Sequence, residues 1–220
     1  MSNTGIIYGV NGPVIYLKGD NGFKISEMVY VGPEHLVGEI IGLKKGMTTV
    51  QVFEETTGLK PGDTVTGTGD AISVLLGPGI IHNIFDGIQR PLEEIAKASG
   101  KYISRGVSVD SLDTEKKWKT HITVKEGDVV GPGSIIAETQ ETDSILHKSM
   151  VPPNLTEATV IHAVPDGEYT ILEPIVTIQF ADGTTRDLAL AQKWPIRIPR
   201  PTHKRFPASV PLVTGQRILD

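Results

Sequence analysis

Apolar and polar residues alternate with a period of two along most of this chain, in short runs punctuated by glycine and proline. TGIIYGVNGPVIYL, residues 4–17, predicts two strands joined at Val10-Asn11-Gly12-Pro13, where Asn-Gly is a hairpin signal. EMVYV, LVGEIIGL and TTVQVFEE follow; in the last, Val50 and Val52 share one face and Thr49 and Gln51 the other. Lys60-Pro61-Gly62-Asp63 turns the chain into TVTGT. Five or six short strands within about 70 residues predict a small closed barrel.

The period then lengthens. Ile81, Phe85, Ile88, Leu92 and Ile95 recur as a helical stripe of core-packing residues, interrupted by Gly87 and Pro91. Two short helices are predicted, 79–86 and 91–99, with Pro91 opening the second and Gly87 and Gly100 as left-handed stops. From Asp110 to Arg186 the strand pattern returns in KTHITV, SIIAETQ, SILHKSMV, EATVIHAV, EYTIL and IVTIQF. Turns at Glu126-Gly127-Asp128, Gly131-Pro132-Gly133, Pro165-Asp166-Gly167 and Ala181-Asp182-Gly183 fold these into a second β unit. KWPIRIPRPTHKRFPASVP then denies the ladder a donor at Pro195, Pro199, Pro201, Pro207 and Pro211, which predicts an extended strap. Near the end, Thr214 sits like a helix N-cap ahead of Ile218 and Leu219.

Composition narrows the possible functions. The 220 residues are 39% hydrophobic and 21% charged, enough for a soluble globular core. A net charge of −5 argues against a general nucleic-acid binder. Zero cysteines exclude disulfides and thiolate chemistry. No apolar run approaches the roughly 18 residues of a membrane span, and no signal segment opens the chain. The expectation is a cytosolic protein without membrane insertion, or a soluble part of something larger. Generous glycine and proline with dispersed β-branched residues make it mainly β.

Candidate chemistry is sparse. There is no GxxxxGK[ST] phosphate cradle and no GxSxG elbow. Gly67-x-Gly69 and Gly77-x-Gly79 lack the third glycine of a dinucleotide loop and read as turns. His35, His82, His121, His147, His162 and His203 are isolated, with no spacing that puts two on one metal. Glu54-Glu55 and Glu93-Glu94 are adjacent pairs, which point apart and read as solvated charges. Lys193, Arg197, Arg200, His203, Lys204 and Arg205 on the strap could meet an anionic partner, or could simply pair with nearby carboxylates.

VKEGDVVGPGSIIAETQETDSI, residues 124–145, resembles the hammerhead of lipoyl and biotinyl carrier domains through Gly127-Asp128, Val130, Gly133 and Glu141-Thr142-Asp143. Those carriers attach their cofactor to a lysine, and here that position is Ser144, whose hydroxyl cannot form the amide. Lys148 lies beyond the turn. The resemblance implies a carrier's barrel-sandwich fold without its chemistry.

Seven stretches in one order carry a wider resemblance: SEMVYVGPEHLVGEII, TTVQVFEETTGLKPGD, LGPGIIHNIFDGIQRPL, RGVSVDSLD, HKSMVPP, KWPIRIPRPTHK and PLVTGQRILD. Together they resemble the catalytic A subunit of vacuolar and archaeal-type (V/A-type) rotary ATPases, which couple ATP hydrolysis or synthesis to proton transport. The resemblance implies that residues 1–70 are an N-terminal β-barrel in the crown of a hexameric head. It implies that 71–110 and 187–220 are pieces of an incomplete α/β nucleotide-binding domain, the latter a proline-rich strap. Residues 111–186 would be the inserted β-sandwich that A subunits carry. GQRxLD leads into the P-loop in this family, so the magnesium-ATP site of the full-length subunit is expected downstream. No catalytic, cofactor-binding or metal residue is carried over, and this chain alone is expected to be inactive. Implied partners are the B subunits of the hexamer, the peripheral stalk and, through the full-length subunit, the central stalk, on the cytosolic face of a membrane. Leu75 and Ala158 depart from the family's usual acidic residue and turn glycine. A free-standing β-barrel adaptor or binding module is the alternative, and a lipoyl or biotinyl carrier the remote one.

Overall fold

The computed structural model describes residues 3–81, 83–100, 105–107, 109–202, 204–211, 213 and 215. Six strands carry the period-two pattern of the first 71 residues: β1 (Thr4–Asn11), β2 (Val14–Lys18), β3 (Glu27–Val31), β4 (Leu36–Lys44), β5 (Met47–Val52) and β6 (Thr64–Ala71). They close into a barrel in the order β1-β2-β5-β4-β3-β6. The inward set includes Ile7, Ile15, Leu17, Val29, Val31, Leu36, Ile40, Val50 and Val65. Each such side chain contributes about 1.5–3 kcal/mol on burial. As the sequence predicts, Val50 and Val52 are buried between half-buried Thr49 and Gln51. Gly12, with φ +56°, turns the β1–β2 hairpin.

The predicted helix over 79–86 is absent. The described residues of 77–91 form an irregular loop, and α1 (Leu92–Ser99) is the only α-helix among the described residues. Two causes act locally. Asp86 Oδ1 accepts from the Ile88 and Arg90 amides, offering the backbone turn-type bonds in place of a helical ladder. Gly77-Pro78-Gly79 adds breakers at the start of the stripe, with φ +103° at Gly79. Gly87 takes no positive φ, whereas Gly100, at φ +78°, stops α1 as expected and donates its N–H to the Ala96 carbonyl. Pro91 does open α1.

Two four-stranded sheets build the second unit. One is β11-β10-β8-β13, from β8 (Trp118–Ile122), β10 (Ile135–Thr142), β11 (Ile145–Met150) and β13 (Gly167–Tyr169). The other is β15-β14-β12-β9, from β9 (Val129–Val130), β12 (Ala158–Ala163), β14 (Val176–Phe180) and β15 (Thr185–Leu188). Val130, Ile136, Val160, Ile171, Ile175 and Ile178 belong to their shared core. Ala158 is buried in β12.

Between barrel and sandwich runs a two-stranded ribbon, β7 (Ser73–Leu76) paired with β16 (Gln192–Pro195). Part of the expected strap is therefore a strand, with Pro195 at its end, where a missing donor costs least. Leu75 packs against the sandwich core. The positions predicted for the C-terminal helix, Thr214, Ile218 and Leu219, lie outside the described residues.

Gly67 and Gly69 do not form a turn; both lie within β6. Glu27, buried at the barrel mouth, explains them. Its carboxylate accepts from the Lys24 amide at 2.8 Å and the Gly69 amide at 2.9 Å. A methyl group on Gly67 would collide with that carboxylate and with the Phe23 ring.

Candidate functional site

The described histidines stay apart, each with its own neighbour. His121 Nδ1 lies 2.7 Å from Asp166 Oδ2, in the open. The Asp166 carboxylate raises the His121 pKa, and the same hydrogen bond lowers that of Asp166. His162 pairs with Glu126 at 3.2 Å. His35 packs edge-on to Tyr30. His147 faces Glu141 at 3.4 Å, and burial pushes its pKa down although Glu141 opposes the shift. His82 and His203 lie outside the described residues. No group of three His, Asp or Glu side chains among the described residues could hold a metal.

The built features are clamps. Glu141, nearly buried on β10, accepts from the Gly79 amide at 2.7 Å and the Ile81 amide at 2.9 Å, tying the 77–91 loop to the sandwich. A cleft of about 780 Å³, lined by Pro78, Asn83, Lys97, Asp113 and Trp118, opens beside this contact. Gln89 holds the same loop to β7: its Oε1 accepts from the Leu75 amide and its Nε2 donates to the Leu75 carbonyl, both at 2.7 Å. Arg90 donates from Nε to Asp86 at 2.7 Å and reaches Glu54 at 3.4 Å. Burial pushes the Asp86 pKa up, but the bonds from the Arg90 backbone and side chain outweigh it and hold the carboxyl below its ordinary value. Glu54 is thus a buried ion-pair partner and not the solvated charge its sequence position suggests; it also accepts from the Gly106 amide. Glu94 does stay exposed, paired with Lys97.

Sequence reasoning missed the partner that fixes the strap. Glu39, on β4, breaks the alternation: Gly38, Glu39 and Ile40 are all buried. Arg197 covers its carboxylate, donating from Nε at 2.9 Å and from Nη2 at 2.5 Å across 158 residues of sequence. The Trp194 indole N–H donates to the Ile198 carbonyl, and the Arg200 guanidinium lies 4.6 Å from the Trp194 ring. Two of the six basic strap residues are therefore engaged within the chain. A charged residue breaking a buried run was the available signal, but its partner could not be assigned without the fold.

Asp143 and Ser144 form the β10–β11 hairpin turn, with Ser144 exposed, while Lys148 is inside β11 and reaches Glu138 at 3.4 Å. Neither residue type at these positions supplies a carrier's lysine at the tip. No Gly-rich cradle with its lysine occurs in the sequence, and of the cleft-lining carboxylates Glu141 is engaged with amides and Glu54 with Arg90. No helix among the described residues is long and apolar enough to cross a membrane.

Comparison with known proteins agrees with the two β units. The family model described as "ATP synthase alpha/beta family, beta-barrel domain" matches residues 7–69. That described as "ATPsynthase alpha/beta subunit barrel-sandwich domain" matches residues 109–197. The V-type ATP synthase alpha chain of Halothermothrix orenii is 49% identical over 220 residues, covering 100% of this chain and 37% of the relative. The A subunit of the A-type ATP synthase of Methanopyrus kandleri is 45% identical over 222 residues, with the same coverage of 100% and 37%. V-type ATP synthase alpha chain 2 of Clostridium tetani is 48% identical over 219 residues, again covering 100% and 37%. The chain spans little more than a third of the length of these relatives.

Proposed function

The chain belongs to the ATP synthase alpha/beta family, matching the N-terminal part of V-type and A-type alpha or A chains, and from that premise we propose that it is the structural portion of a rotary ATPase A subunit. In this role the barrel joins neighbouring subunits into the crown of a hexameric head, alternating with B subunits. The sandwich at 111–186 projects towards the peripheral stalk, and 71–110 with 187–220 belong to the nucleotide-binding domain. The whole protein would bind magnesium-ATP, reach the central stalk and couple ATP hydrolysis or synthesis to proton transport on the cytosolic face of a membrane. The observation that carries this proposal is 45–49% identity across the full length of the chain to proteins so named. Closure of the barrel supports the mechanical part, because a sheet without free edges resists torque without fraying.

Native mass spectrometry of the chain mixed with the B-type subunit of the same organism tests the proposal. Complexes containing both chains are expected; two unmixed populations at tens of micromolar, roughly the weak end of specific association, would refute it. The carrier alternative has Ser144 against it, and nothing in the structure favours an independent adaptor.

A further inference from the structure

Trp118, at the start of β8, is 7% exposed, yet its indole N–H finds no acceptor among the described residues. The residue lines the cleft of about 780 Å³ beside the Glu141 contact. The ring edge that carries Nε1 also carries Cζ2. A methyl group on Gly79, in the wall of the same cleft, would stand 3.5 Å from Cζ2, so the N–H edge faces that wall. A buried donor without an acceptor is costly, and a ligand that brings an acceptor to it gains affinity.

What covers the ring is a cation of the chain itself. Lys116 Nζ lies 3.8 Å from the Trp118 ring centroid, a cation–π contact. Lys116 is exposed, so it leaves the ring at little cost. Five carboxylates line the cleft against two ammonium groups. Glu94 is paired with Lys97, and Glu141 with the Gly79 and Ile81 amides. Asp113 Oδ1 accepts from the Glu115 and Lys116 amides, both at 2.9 Å. Asp110, Asp113 and Glu115 are exposed and have no cationic partner among the described residues.

The cleft therefore offers an indole donor, an aromatic face that accepts a cation, and carboxylates on its open side. A ligand that matches all three carries a positive charge and a neutral acceptor together. A simple metal ion or a polyamine has the charge without the acceptor. An arginine within a peptide has both, and its planar guanidinium stacks on aromatic rings and forks onto carboxylates better than an ammonium does. The cleft volume suits a segment of a few residues.

We propose that this cleft receives an arginine-bearing segment of a partner protein. The guanidinium displaces Lys116 from the Trp118 ring and meets Asp113 and Glu115, and a backbone carbonyl accepts from the Trp118 indole. The cleft lies outside the barrel, so it is independent of the ring assembly proposed above.

Nuclear magnetic resonance on the nitrogen-15-labelled 220-residue chain tests it, because the chain has two tryptophans and hence two indole N–H signals. Trp118→Phe identifies the Trp118 signal by removing it. A capped tetra-arginine peptide, titrated to about 5 mM in about 0.15 M salt, should move the Trp118 signal downfield and saturably while the Trp194 signal stays. A capped tetraglutamate peptide should move neither. Asp113→Asn keeps an oxygen for the turn amides and should weaken the peptide at least about threefold. If it fails to fold, Glu115→Gln serves the same comparison. Lys116→Ala, which clears the ring, should tighten binding at least about threefold, whereas Lys119→Ala, the same charge change outside the cleft, should alter it less than about twofold. A Trp118 signal that does not respond overturns the proposal. So does equal tightening by Lys116→Ala and Lys119→Ala, which would mean only general attraction between opposite charges.

Discussion

Glu27 brings a carboxylate into the barrel mouth and spends both oxygens on backbone amides. Glu27→Ala strips the Lys24 and Gly69 amides of their acceptor, and hydrogen bonds to a charged group contribute about 1.5–3 kcal/mol. Urea denaturation should show a loss of that size, with Gly67→Ala destabilising the same mouth by collision. Two histidines make stability respond to pH in opposite senses. His147 has its folded pKa pushed below 6.5 by burial, so its effect is a loss of stability as pH falls through 6.5 and the unfolded chain takes up protons first. His121 has its pKa raised above 6.5 by Asp166, so its contribution is fully present below 6.5 and fades as pH rises through the folded value. Thermal melts at pH 7.5 and 5.5, which bracket an ordinary histidine, should therefore separate the two contributions when the wild type is compared with a variant at each site. His147→Gln should lose less stability on acidification than wild type, and His121→Asn more. Equal slopes would show that neither pair acts as described.

At the scale of elements, strands were legible because alternation is a direct imprint of a half-buried sheet, as Thr49 to Val52 show. The stripe at Ile81, Phe85 and Ile88 failed because those residues serve different neighbours. Ile81 is exposed and anchored through its amide to Glu141, while Phe85 packs on the sandwich core. Asp86-Gly87 was the overlooked turn signal. β7 and β16 pair across more than a hundred residues, β9 has only two residues, and β15 mixes charge with apolar positions, so none stood out. The clamps at Glu141, Gln89 and Glu39 were illegible for the same reason: each joins groups distant in sequence. The Glu39–Arg197 contact predicts a property of the ribbon. In wild type, barrel and sandwich should unfold in one calorimetric transition; Arg197→Ala, which leaves Glu39 under the strap without its partner, should resolve two. A single transition in both proteins would mean that the strap does not couple them.

For the whole molecule, the family resemblance lay in ordered stretches of sequence, and its mechanical meaning lies in how the fold uses them. GPGII is held by Glu141, QRP supplies Gln89 and Arg90, and WPIRIPR supplies Trp194, Arg197 and Arg200. These residues join one closed barrel to one sandwich. A chain of this kind should work as scaffold inside a larger head. The most direct test replaces the corresponding residues of the Halothermothrix orenii V-type ATP synthase alpha chain, 49% identical over 220 residues, with this chain. ATP hydrolysis by the purified, assembled head is then measured. A head that assembles and hydrolyses ATP is the predicted result. A folded chimera that fails to assemble with its partner subunits would contradict it.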